Sequence, residues 1–214
     1  MKAFLFYIVC NLLCVLSVKS QSEDSTEVRF DPINFMGVPM SGPIDDFQAL
    51  IVSKGFTFET VSNSNCRVLT GNFIGKKVLV LLEPSSNGDI YRSGIVFTNG
   101  GSKFTSWDSL LQIYNTVKNL LVEKYGEPRY IKENFNCTPY PKNNKEKLIE
   151  LADGNCEYAC MFEIRGKVKS PHLNLDGVQI GNIDLHISED RTVILNYLGF
   201  ANDMDEEKSR LDSL

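Results

Sequence analysis

Residues 105–128, "TSWDSLLQIYNTVKNLLVEKYGEP", spell out one long amphipathic helix together with both of its ends. Thr105 or Ser106 offers an N-cap oxygen, and Gly126 followed by Pro128 closes the other end. Between them Trp107, Leu110, Leu111, Tyr114, Val117, Leu120, Leu121 and Tyr125 fall at three- and four-residue steps. About five turns of helix with so wide an apolar stripe can cover a whole sheet face. Trp107 has two readings, a platform for stacking a ligand or a core residue; a lone Trp inside a helical stripe reads as core.

The flanks supply the sheet. "FTFETV", "CRVLTGNFI", "KVLVLLE" and "IYRSGIVFTN" are short apolar runs, with turns expected at Gly75–Lys76 and in "PSSNGD". Successive strands with short loops predict an antiparallel meander. After the long helix come "YACMFEIRG", "VQIGNIDLHIS" and "TVILNYLGF", the last two joined through Glu189, Asp190 and Arg191. Residues 131–155 between helix and late strands are polar and carry two prolines and clustered lysines, so they read as a linker-like excursion.

Ahead of the first strand, "NFMGVPMSGPIDDFQALIVSKGF", Asn34 to Phe56, reads as a second, shorter helix. Ser41 or Gly42 caps it, Pro43 takes the first helical position, Asp45 and Asp46 face the positive end of the dipole, and Gly55 supplies the exit. Ile44, Phe47, Leu50, Ile51 and Lys54 share one side. A glycine-preceded helix start can seat an anion, but Pro43 removes a donor and the two aspartates repel one. The segment "VRFDPINFMGVPM" before it is apolar enough to lie on a core, while Pro32 and Pro39 argue against a central strand. The fold class expected is α+β, a twisted antiparallel sheet of six or seven strands with two main helices on one face.

The chain begins "MKAFLFYIVCNLLCVLSVKS", with Lys2, an apolar run and small residues at Val18 and Ser20, the pattern of a secretory signal cut before Gln21. The organisation expected is a signal peptide over 1–20 and one α+β domain over 21–214, with the excursion at about 131–155 and a charged C-terminal tail. Such a chain is secreted or periplasmic. Removing Lys2 and Lys19 moves the formal charge from −5 by two, to −7. An acidic surface without a basic stripe disfavours nucleic acid, and no later segment has the length of a membrane span.

Four of the six cysteines lie past the signal: Cys66, Cys137, Cys156 and Cys160. A Cys156–Cys160 bridge within one strand would have to close about 13 Å. Cys137–Cys156 is the pairing expected, stapling the excursion, with Cys66 and Cys160 a second bridge or two buried thiols. Asn136-Cys137-Thr138 fits a glycosylation acceptor.

The order "FMGVPMSG", helix, "KGF", "LTGNFIG", "IYRSGIVF", "SWDSLLQIYNTVKNLLVEKYGEP" and "VILNYLGFANDMD" resembles a family of small uncharacterised secreted proteins from Gram-negative gut bacteria, over Phe35 to Asn202. The resemblance implies export and a single α+β domain, and it implies no activity. By element order alone the chain is also similar to lactamase-inhibitor-like periplasmic modules.

Chemistry is sparse. The two histidines, His172 and His186, stand fourteen residues apart with no metal-binding motif around them. Asp203, Asp205, Glu206 and Glu207 lack the spacing of a calcium loop. Cys160 with His186 is the one nucleophile–base pair to weigh, yet strand parity puts Cys160 with Phe162 and Ile164, and His186 with Asp184 on the polar face. Glu163 alternates outward with Arg165. No catalytic, cofactor or metal residue is assigned. The reading is an exported, non-catalytic module that binds an unidentified protein or small ligand through the sheet's open face or its loops; the alternatives are an inhibitor of a secreted enzyme, or a hydrolase built from carboxylates scattered in sequence.

Overall fold

The long stripe folds as a helix, α2 (Trp107–Tyr125), in a computed structural model that describes residues 29–61, 65–170 and 173–199. Trp107, Leu110, Ile113, Tyr114, Val117 and Leu121 are its buried residues. Trp107 is core: its ring lies 5.0 Å from both Phe135 and Tyr158. Leu120, expected in the stripe, is 44% exposed, so the buried face is narrower than read. Gly126, at φ +82°, closes the helix by donating its N–H to Val122 O.

The shorter helix, α1 (Ile44–Ser53), starts one residue later than expected, with Pro43 as its N-cap. Ile44, Phe47 and Ile51 are buried, whereas Leu50 and Lys54 face solvent. The Ile44 N–H is taken by Gly88 O at 3.0 Å and Asp45 pairs with Arg67 at 2.8 Å, so this start joins the chain to the β-turn and seats no anion. Before it, β2 (Asn34–Phe35) and β3 (Val38–Pro39) form a small separate hairpin through Met36 and Gly37, both at positive φ. Ile33, Phe35, Val38 and Met40 are buried, as an apolar segment laid on a core requires.

Among the described residues the main sheet has nine strands, more than the six or seven expected. β4 (Thr57–Val61), β5 (Arg67–Phe73), β6 (Lys76–Pro84) and β7 (Ile90–Phe97) make the expected meander. Its central turn sits at Ile74–Gly75, one residue before the position read from the sequence, with both residues at positive φ. β9 (Cys156–Ser170), β10 (Leu173–Ile187) and β11 (Val193–Gly199) make a second meander. The two halves join where β11 pairs antiparallel with β7. The extra strands lie along the far edge of β9: β1 (Arg29–Phe30) pairs with its last residues and β8 (Tyr130–Phe135) with its first.

The 131–155 excursion carries secondary structure of its own. β8 occupies its start, and α3 (Asn144–Ala152) its second half. Asn143 caps α3 by accepting from Glu146 N at 3.0 Å, while the Glu146 carboxylate reaches back to accept from Asn143 Nδ2 at 2.7 Å and from Lys142 N at 2.6 Å, a variant of the capping box that uses the N–H one residue before the cap. Leu148 and Leu151 then bury the apolar side of α3. A side-chain clip joins the starts of the two later helices: Asn144 Nδ2 donates to Asp108 Oδ2 at 2.8 Å, and Asp108 N donates to Asn144 Oδ1 at 3.2 Å.

One face of the sheet carries the core. Register aligns Cys160, Leu185, Leu195, Ile95, Val80 and Leu69 across six strands, and Phe162, Ile183, Tyr197, Ser93 and Leu82 in the next row. All are buried, and the apolar ones belong to one hydrophobic cluster with the buried residues of α1, α2 and α3. The Tyr114 hydroxyl donates to Glu133 Oε1 at 2.9 Å and Lys118 Nζ to the same oxygen at 2.6 Å, fixing α2 to β8. Among the described residues no helix is long and apolar enough to cross a membrane. The expected signal peptide and the charged tail lie outside the described residues.

Candidate functional site

Strand parity leaves a second, outer face on the same sheet. Three rows cross its middle: Ala159, His186, Ile194, Val96 and Leu79; then Met161, Asp184, Asn196, Gly94 and Leu81; then Glu163, Asn182, Leu198, Arg92 and Glu83. Every one of these residues is half-buried except Gly94, which is buried. Apolar side chains therefore flank a polar middle formed by Asp184, Asn196 and Asn182.

Most charge on this face is already paired. Glu163 accepts from Arg165 Nη2 at 2.8 Å and lies 3.6 Å from Arg129 Nε. Glu83 faces Arg92 Nη1 at 3.6 Å. Farther out, Glu157 accepts from Lys132 and from the Tyr130 hydroxyl, which together hold its carboxyl below the usual range. Asn182 accepts from Gln179 Nε2 at 2.6 Å. Asp184 is different. Among the described residues its carboxylate has neither a hydrogen bond nor an ion pair, and burial pushes its pKa up against the opposing pull of Arg92. His186, one row away, also has no partner among them, and burial pushes its pKa down. Asn196 lies over Gly94: a β-carbon placed there would sit 2.8 Å from Asn196 Oδ1. The carboxamide, unpaired among the described residues, fills the place that a side chain at 94 would take.

The residues singled out in the sequence fall as follows. Cys160 pairs in register with Leu185 and His186 with Ala159, so thiol and imidazole sit on opposite faces of the sheet, as parity predicts. Glu163 faces outward with Arg165. His172, Asp203, Asp205, Glu206 and Glu207 lie outside the described residues. Among the described residues no three of His, Cys, Asp and Glu are gathered to hold a metal ion. The sequence put Asp184 and His186 on the polar face but did not bring Asn196 or Gly94 to them. A polar residue and a glycine interrupting apolar strands were the available signals.

The disulfide expectation is corrected: Cys66, Cys137, Cys156 and Cys160 are all free. Register supplies the reason for the preferred pair. Phe135 lies opposite Cys156 and Asn136 N donates to Asn155 O, so Cys137 falls a diagonal step from Cys156. Diagonal neighbours stand about 7–8 Å apart, at or past the limit for a bridge. Cys66 and Cys160 are the two buried thiols of the other option. Burial raises the pKa of all four; for Cys156, with Cys137 beside it, the thiol is pushed up to about 12. Such thiols are poor nucleophiles at neutral pH.

Two depressions lie elsewhere, sharing Lys76, Asn99, Phe104 and Ile113 and holding about 170 and 160 Å³. Each is smaller than the roughly 300 Å³ at which ordinary ligand pockets begin, and neither includes an outer-face residue of the three rows. Comparison with known protein families, with characterised proteins and with solved structures gave no match.

Proposed function

We propose that this protein is an exported, non-catalytic binding protein that engages another protein through the outer face of its sheet. The observation that carries the reading is the middle row, where Asp184 and Asn196 stand half-buried and unpaired between apolar flanks. A polar group withdrawn from water without a partner costs free energy, and a docking partner removes that cost. Three rows spanning five strands, outside both depressions, suit a protein surface better than a small molecule, which needs a concave site. Export rests on the residues of the N-terminal segment.

Two measurements test this. A photoreactive side chain at position 194, on the outer face, should yield a crosslinked adduct in the fluid into which the chain is released, and one at exposed position 120 on α2 should not; adducts at 120 alone, or none at 194, sink the reading. N-terminal sequencing of the released chain should start at Gln21, and a chain kept inside the cell with residues 1–20 attached refutes export.

The hydrolase reading has one observation in its favour. Asp184 lies a diagonal step from Glu163, about 7–8 Å for such neighbours, and the two carboxylates have contrasting environments, one unpaired and one bound by arginine. Turnover of chromogenic glycosides that disappears in Asp184→Asn would support it; no turnover by the intact chain removes it.

A further inference from the structure

We infer that the middle row of the outer face is a seat for an arginine side chain presented by a protein partner, with Asp184 as its counter-ion and the Asn196 carboxamide as a second acceptor. The inference rests on the outer-face reading and names the chemistry of the occupant.

Three observations converge on it. Asp184 is the one carboxylate of the three rows without an ion pair among the described residues, Arg92 acting on it only through its field: Glu163 has Arg165 and Arg129, and Glu83 has Arg92. Asn196 stands directly opposite Asp184 in the register, and its Oδ1 projects over Gly94 with no donor among the described residues bonded to it. The Asn196 carboxamide occupies the space that a side chain at Gly94 would take, so its polar atoms lie in the row itself. A group with several N–H donors can serve the Asp184 carboxylate and turn a further N–H toward the Asn196 carboxamide in the adjacent strand, and guanidinium has that form. Met161, Ile194 and Leu198 around the row offer apolar surface to the aliphatic stem. Guanidinium is also more weakly hydrated than ammonium, so arginine loses less than lysine on entering so dry a surface. The acidic balance of the chain, −5 over the whole sequence, favours a basic partner.

The charged groups around the seat define the pH response. Arg92 and Glu83 approach from β7 and β6, Glu163 with Arg165 and Arg129 from the β9 side, and His186 from the next row. Protonation of Asp184 removes the counter-ion, so binding should weaken as pH falls through its raised pKa; protonation of His186, below the ordinary imidazole range, adds repulsion.

The test uses the full chain, labelled for amide NMR, titrated with N-acetyl-arginine amide, its neutral isostere N-acetyl-citrulline amide, and N-acetyl-leucine amide. The arginine compound should give saturable shifts at Gly94, Asp184 and Asn196, with an affinity at least about tenfold above citrulline's, the scale of one charge-assisted contact. Asp184→Asn should erase that difference. Gly94→Ala, which meets only the movable end of Asn196, should weaken binding while leaving Asp184 in place. Equal titration by arginine and citrulline compounds, or an arginine effect that survives Asp184→Asn, overturns the inference. If the photocrosslink at 194 forms and this charge discrimination is absent, the inference falls and the outer-face reading stands; if the photocrosslink fails as well, both fall.

Discussion

Ser93 and Asp184 lie on opposite faces of one sheet and show how much a single polar atom depends on which side it meets. Ser93 is wholly buried between Leu82 and Tyr197 in the register, and its hydroxyl has no hydrogen-bond partner. An unsatisfied buried hydroxyl costs about 1–3 kcal/mol. Ser93→Ala should therefore raise stability by about 1 kcal/mol, read as a higher urea midpoint with an unchanged slope; an unchanged or lower midpoint contradicts it. Asp184 is half-buried, and its folded pKa is raised above the unfolded one. The sign follows from proton binding: the folded state holds the proton more tightly, so the group's favourable contribution is full below the ordinary carboxylate pKa and is lost as pH rises through the raised one. Asp184→Asn should accordingly be more stable than the parent at neutral pH, and the advantage should vanish when melting is measured below the ordinary carboxylate range. His186 has the opposite sign, since a depressed pKa means that stability is lost as pH falls through it.

At the scale of elements, the helices and most strands were legible because each carries its own period and its own ends. The stripe of α2 and the Gly126 exit needed no neighbour to be read. The elements inside 131–155 are hidden in the sequence by its prolines and lysines, although Asn143 and Glu146 stand three apart, the spacing of a capping box. Leu148 and Leu151 are too few to announce an apolar stripe in nine residues. The cap itself is testable. Asn143→Ala should cost about 1 kcal/mol and should increase amide exchange in the first turn of α3; equal protection in both chains would mean that packing of Leu148 and Leu151 alone fixes this helix.

At the scale of the molecule, burial divides the four thiols into two classes. Cys66 and Cys160 are buried, while Cys137 and Cys156 are partly exposed at the meeting of β8 and β9. Brief alkylation of the native chain should label Cys137 ahead of Cys66 and Cys160, and denaturant should bring the total among these positions to four. Fewer than four in denaturant would reveal a bridge and overturn the free-thiol assignment. Both orders of reaction follow from where the sheet and the helices place each sulfur, and none of it could be read from cysteine spacing.

The sequence by itself determined which segments extend and which coil, and which side of each faces the core, because periods of two and 3.6 residues are set by backbone geometry within a segment. That is why Cys160 and His186 were placed on opposite faces before any coordinates, and why Trp107 was read as core. Only the tertiary structure decided which strands are neighbours. It joined β7 to β11 across about half the chain, laid β8 on β9, and set Cys137 a diagonal step from Cys156. It also aligned Asp184, Asn196 and Gly94 in a single row. Alternation fixes a face and leaves the partner strand open; register between distant strands is selected by how their combined apolar surfaces fit one core, and that fit exists only once the whole chain has closed upon it.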